Sequence, residues 1–190
     1  MYKAEPDPYC YPRTAVLINH AGLRDEAELV EYEGEMIALR FREPLPDGRL
    51  SYRHYLAVHR HLFQDVYPWA GKIRTVRIFK ERSAFCYPEH IDREMRRLFT
   101  ELSGEKYLRG LDAHTFAVGA AHFLAELNAI HPFREGNGRT QLSFLVILVG
   151  KAGHRLARQR FEPKETLKAM IASFDGNEKP FADLIERSIE

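Results

Sequence analysis

What this chain has little of narrows its possibilities first. Its 190 residues hold only two cysteines, Cys10 and Cys86. They show no metal-ligand spacing and read as free thiols of a cytosolic protein rather than as a disulfide framework. The formal net charge is +1, which argues against a strongly basic nucleic-acid binder, so no direct nucleic-acid partner is expected. No apolar run is long enough to span a bilayer, since Leu142 to Val149 is broken by Ser143 and stops at Gly150. The N-terminus is polar and lacks the apolar core of a signal peptide. Internal repeats and low-complexity linkers are missing too. What remains is a chain of ordinary apolar content and of the length of one globular domain, expected to be cytoplasmic with no membrane partner.

Helical periods dominate. Val30, Gly34, Ile37 and Phe41 share a face after a predicted Asp25 cap. A second helix is predicted from Ser51 toward Phe63. Ile91, Met95, Leu98 and Leu102 form a stripe stopped by Gly104. Asp112 suits the N-cap of a helix carrying Phe116, Ala120, Phe123 and Leu127 inward. Pro163 stands near the start of a helix marked by Leu167, Met170, Ile171 and Phe174. Phe181, Leu184, Ile185 and Ile189 mark the last helix. One segment, Ile73 to Phe79, is instead β-rich, with Val, Ile and Thr among basic residues; Lys80-Glu81-Arg82-Ser83 would turn it back as a hairpin.

The richest stretch is His131-Pro132-Phe133-Arg134-Glu135-Gly136-Asn137-Gly138-Arg139. Gly136 and Gly138 permit positive φ and close backbone approach, so a Gly-Asn-Gly turn can aim N–H groups at one anion. Gln141 to Val149 reads as a helix starting just after the turn, its N-terminal N–H groups and dipole favouring phosphate. Arg139 adds a bidentate cation. Glu135 is the kind of ligand Mg²⁺ accepts beside substrate phosphates. His131, ending the preceding helix, suits proton removal from a hydroxyl near neutral pH. Taken singly, each has a bland reading: a tight corner, a structural histidine, a solvated arginine. Their joint occurrence within nine residues points instead to a metal-bound nucleotide and a base that activates an alcohol.

The same stretch resembles the signature of the Fic (filamentation induced by cAMP) family, His-x-Phe-x-Asp/Glu-Gly-Asn-Gly-Arg-x-x-Arg. Tyr9-Cys10-Tyr11-Pro12, the run from His59 to Gly71 and Leu127-Asn128-Ala129-Ile130 are similar to the compact bacterial toxin-like members. The resemblance implies an all-α Fic-fold bundle with a small β-hairpin flap, residues 1–190 forming one domain with the signature loop at 131–139 and the flap at 73–86. It implies transfer of AMP from ATP to a Ser, Thr or Tyr hydroxyl of a target protein, with release of pyrophosphate. His131 would be the base, Glu135 the Mg²⁺ ligand, and Gly136, Asn137, Gly138 and Arg139 the phosphate cradle. Phe133 would anchor the loop in the core. The flap, carried by Ile73, Thr75, Val76, Ile78 and Phe85, would pair with an extended target segment. Glu81 and Arg82 stand where the family often has glycines, which alters the flap's shape.

Leu142 departs from the pattern, which has a second arginine there. A lost charge-assisted contact is worth about 1.5–3 kcal/mol, roughly one to two decades of rate if it acts in the transition state. Lys151 is too far along the helix to replace it, and Arg134 is expected to point outward. The family's inhibitory motif, Ser/Thr-x-x-x-Glu-Gly/Asn, has no match: Glu33-Gly34 has Leu29 where Ser or Thr is required. The expected partners are therefore a small separate antitoxin that supplies the inhibitory helix and a target protein, with a type II topoisomerase subunit as the first to test. The competing expectation is a degenerate Fic domain that binds nucleotide or a partner with weak or no AMP transfer, or that transfers another phosphate-containing group. His54, His59 and His61 lack metal spacing; with Trp69, the latter two read as packing and polar links near the flap base.

Overall fold

The computed structural model describes residues 7–80 and 83–190. Among them run seven α-helices: α1 (Glu26–Arg40), α2 (Tyr52–Phe63), α3 (Pro88–Gly104), α4 (Ala113–Ile130), α5 (Asn137–Ala152), α6 (Pro163–Phe174) and α7 (Lys179–Ser188). Caps set several starts. Asp25 accepts from the N–H groups of Ala27 and Glu28, Ser51 from that of His54 and Asp112 from that of Thr115, each satisfying donors that a helix leaves unpaired. Prolines open α3, α6 and α7, where their missing N–H costs nothing.

α4 is the axis of the bundle. Phe116, Ala120, Phe123 and Leu127 point inward as their spacing predicts, joined by Ala117, Ala121 and Leu124. The alanines let neighbours approach closely, and α3, α5, α6 and α7 all pack on α4. α5, which follows the loop, begins at Asn137, four residues before Gln141 where the sequence suggested. Its first turn is therefore the glycine turn itself. No helix among the described residues is long and apolar enough to cross a membrane.

Two expectations needed correction. On α1 the inward face is Leu29, Glu33 and Ile37, while Val30 and Phe41 are 66% and 49% exposed. Ile37 faces inward as expected, but the hydrophobic pattern took Val30 and Gly34 in place of Leu29 and Glu33, because the centre of the true face is a carboxylate. The β-rich segment Ile73–Ile78 forms no ladder; the hairpin is shorter and later, β1 (Phe79–Lys80) against β2 (Ser83–Ala84), antiparallel with Phe79 opposite Ala84. Glu81 and Arg82, at the expected turn, lie outside the described residues. Residues 73–78 are instead drawn onto the end of α4, where Arg74 N–H donates to the Pro132 carbonyl at 2.8 Å.

Because Leu124 is wholly buried on the central helix, Leu124→Ala is expected to lower unfolding free energy by about 2–5 kcal/mol. Urea denaturation of the two chains measures this, and a loss under 1 kcal/mol would mean that α4 is not the core's axis.

Candidate active site

The loop from His131 to Gly136 leaves one buried helix and enters another through two left-handed residues. His131 ends α4 at φ 49°, and Gly136 caps α5 at φ 83°. A Cβ at Gly136 would sit 2.2 Å from the Phe63 ring, so both conformation and space demand glycine. The Asn137 side chain clips the loop shut. Its Oδ1 accepts from the Phe133 N–H at 2.9 Å and its Nδ2 donates to the Phe133 carbonyl at 2.8 Å. Phe133 is buried as the signature implied, stacked 3.7 Å from His59 and 5.5 Å from Tyr55.

His59 proves to be part of this support. Its Nδ1 accepts the Gly71 N–H at 2.8 Å, so the neutral ring carries its proton on Nε2 and donates it to the Glu135 carbonyl, 3.1 Å away. Burial pushes its pKa down to about 3, which keeps it neutral at working pH. Its nearness to His54 and His61 in sequence has no ligand meaning: His54 binds the Pro46 carbonyl and the Leu50 N–H, and His61 contacts the Arg40 carbonyl.

His131 itself is oriented from two sides. Nδ1 lies 3.3 Å from the Asn128 carbonyl. A carbonyl only accepts, so the neutral ring carries its lone pair on Nε2. The Phe85 ring stacks on the imidazole at 3.8 Å. Phe85 is buried and thus holds the histidine as well as ending the flap.

A cavity of about 610 Å³ opens beside this ring. His131, Glu135, Asn137 and Gly138 line it, together with Ile78 and Phe85 from the flap. Opposite them stand Leu167, Met170, Ile171 and Phe174 of α6, an apolar wall whose Leu167 and Ile171 are half exposed. The helical stripe in the sequence was real, but part of it faces the cavity rather than the core.

Several expected residues are placed differently. Ile73, Thr75 and Val76 are not on the cavity wall; the Thr75 N–H is held by the Tyr9 hydroxyl at 3.1 Å. Arg134 does not point outward. It lines the cavity and is held by Asp7, with Nη2 2.8 Å from Oδ2. The pairing of residues 127 apart is a contact that no local pattern announces. Asn137 offers main chain rather than side chain, its amide being engaged by Phe133. Arg139 is not on the wall of this cavity either. Its Nη1 is 2.6 Å from Glu33 and its Nη2 3.3 Å from Glu135, with the guanidinium 4.9 Å over the Phe63 ring. Glu33 also accepts the Tyr67 hydroxyl, which is how a carboxylate stays on the inner face of α1. Arg139 and Leu142 border a separate apolar cavity of about 410 Å³.

Glu135 is the one carboxylate of the signature, half exposed on the larger cavity. Its Oε1 accepts the Gly136 N–H at 2.8 Å. One carboxylate next to a helix N-terminus fits Mg²⁺ that also rides on substrate phosphates, and does not fit a closed protein cage.

An all-helical bundle with a histidine, a carboxylate and a glycine-started helix on one cavity defines a class of nucleotide-handling fold. The Fic/DOC family profile matches residues 49–149. The chain is 53% identical over 189 residues to a probable protein adenylyltransferase, y4lH, of Sinorhizobium fredii, covering 99% of this chain and 98% of that one. It is 38% identical over 191 residues to protein adenylyltransferase VbhT of Bartonella schoenbuchensis, spanning 99% of this chain but 40% of VbhT. Among solved structures it is similar to BepC of Bartonella tribocorum with bound AMPPNP, at 27% identity and TM-score 0.85 over 96% of each chain. The N-terminal Fic domain of a Bartonella quintana protein with bound ADP aligns at 28% identity and TM-score 0.86, over 96% of this chain and 94% of that one. The chain belongs to the Fic/DOC family.

Two outcomes test the loop's construction. Gly136→Ala is expected to cost about 2 kcal/mol or more, through positive φ and the Phe63 overlap; a thermal midpoint equal to the parent's would show that the turn is not tight. His59, at about 3 when folded against an ordinary 6.5, binds its proton in the unfolded chain first. Its contribution is therefore full above pH 6.5 and is lost as pH falls toward 3. The thermal midpoint of the parent should drop more steeply than that of His59→Gln between about pH 6.5 and 4; parallel curves would place His59 in water.

Proposed function

We propose that this chain is a protein adenylyltransferase that moves AMP from ATP to a Ser, Thr or Tyr hydroxyl of another protein, residues 1–190 acting as one Fic domain. Relatives at 53% and 38% identity carry that activity in their names, and nucleotides are bound in two similar structures. The observation that carries the reading is the meeting of the His131 imidazole, the Glu135 carboxylate and the first turn of α5 on one cavity of about 610 Å³.

The chemistry follows from that arrangement. The N–H groups at Asn137 and Gly138 and the dipole of α5 take the phosphates, and the α6 wall takes the base. Glu135 would hold Mg²⁺, which when bound offsets phosphate charge and polarises the phosphorus. His131 Nε2 removes the proton of the target hydroxyl. The new bond joins that oxygen to the α-phosphorus, the bond to the β-phosphate's bridging oxygen breaks, and the histidine's proton leaves with pyrophosphate. Rate enhancement comes mainly from alignment and fixed dipoles. Arg134 is a cation on the wall, already opposed by Asp7.

The sequence resemblance extends the proposal to a cytoplasmic toxin restrained by a small antitoxin, with a type II topoisomerase subunit as the first target to assay. A second reading, nucleotide or partner binding with little transfer or transfer of another phosphate-linked group, is favoured by Leu142 and by the capture of Arg139 between two carboxylates.

One experiment separates them: Mg²⁺, labelled ATP and a bacterial lysate, with the native chain, His131→Ala and Leu142→Arg. Label on protein, abolished in His131→Ala and raised roughly ten- to hundredfold in Leu142→Arg, is the expected outcome. Label absent from both the native chain and Leu142→Arg would overturn AMP transfer.

A further inference from the structure

Arg74 is the largest side chain buried outside the chemistry above. It is 1% exposed, and among the described residues its hydrogen-bond partners are all carbonyl oxygens. Nε donates to His131 at 2.8 Å and Nη1 to Val76 at 2.7 Å. Nη2 donates to Cys86 at 2.7 Å and to Ile130 at 3.2 Å. Three segments therefore converge on one guanidinium: the rising leg of the flap at Val76, the returning leg at Cys86, and the last turn of α4 at Ile130 and His131. Main-chain bonds complete the joint, Arg74 N–H to Pro132 and Cys86 N–H to Ala129.

The physics of this site is unusual for a buried charge. Burial lowers the pKa of Arg74 to about 10, so the group stays cationic at neutral pH. Its charge faces the negative end of the α4 dipole and satisfies carbonyls that a helix end leaves without intrahelical partners. A planar fork with five N–H donors serves four carbonyls at once; an ammonium has three donors and no fixed plane. The left-handed turn at His131 (φ 49°) is an unfavourable conformation for a non-glycine residue and persists only if its surroundings fix it. Arg74 grips the carbonyl of that same residue. It also grips Cys86, the neighbour of Phe85, whose ring stacks on the imidazole.

We propose that Arg74 is a positioning residue for the base: one guanidinium sets both the backbone that carries His131 and the flap leg that presses Phe85 against its ring, so that the flap and the base move as one body. Arg74 is absent from the wall of the nucleotide cavity, so it acts through His131 and Phe85 and not on ATP. The inference rests on His131 being the base, as proposed above.

The test uses the full chain with Arg74→Lys, which keeps the charge and loses the fork, and Arg74→Gln, which keeps two donors and loses the charge. Leu124→Ala is the control for general loss of stability. NMR of ¹⁵N-histidine-labelled protein reads the His131 tautomer and its ring contact with Phe85; kinetics and titration read turnover and ATP affinity separately. Both Arg74 variants should lose the ring contact and about tenfold or more in turnover while ATP affinity stays within about twofold, with Arg74→Lys the less impaired. Leu124→Ala should keep the ring contact. An intact Phe85–His131 contact in a folded Arg74 variant overturns the proposal, as does ATP affinity falling in step with turnover. If the native chain transfers no AMP, the functional reading fails by itself, and the ring contact still decides the role of Arg74.

Discussion

The clip between Asn137 and the main chain of Phe133 is the constraint from which the site follows. Two hydrogen bonds, each worth about 0.5–1.5 kcal/mol net, close the loop over a phenylalanine whose burial contributes about 1.5–3 kcal/mol. Neither would suffice without the other. The stack of Tyr55, Phe133, His59 and Phe63 gives the ring a slot of fixed shape, and the amide fixes where the backbone leaves that slot. With both ends of the loop set, His131 and Glu135 face one cavity and α5 begins with its dipole aimed there. His59 adds a third tie, from Gly71 to Glu135, and can do so only as a neutral ring.

Charge in this region is closely balanced. Arg134 faces Asp7, and Arg139 faces Glu33 and Glu135. Each pairing is partly desolvated, so the attraction is stronger than at an open surface, and each removes a cation from the service of phosphate. Leu142 extends the same trend by placing an apolar side chain where the signature has its second arginine. A nucleotide entering such a site gains little from side-chain charge. On the proposed reading it would rely on main-chain N–H groups, the α5 dipole and a metal ion. That distribution would make Glu135 more consequential than in a cradle rich in arginine.

Stacking and hydrogen bonding orient the His131 ring. Asn128 selects the tautomer, Phe85 fixes the plane, and Arg74 ties both to the flap. Through these contacts the foot of the hairpin is part of the histidine's support. The N-terminal segment joins the same structure through Tyr9, which meets Thr75 on one side and the Trp69 ring on the other.

The sequence by itself determined the helices whose caps and stripes are local, such as α2, α3, α4 and α7, and it determined the signature loop, because its residues are consecutive. It also exposed the loss at Leu142. Tertiary structure decided everything that depends on distant partners. Glu33 sits on an inner face because Arg139 and Tyr67 meet it there, and a periodicity rule that counts carboxylates as outward turned α1 by one position. Arg134 turns inward because Asp7 lies across from it. Arg74 looked like one basic residue among several in a β-rich run, yet helix α4 ends beside it with carbonyls in need of donors. Local propensity acts over three or four residues; burial of charge is decided by what the fold places opposite it.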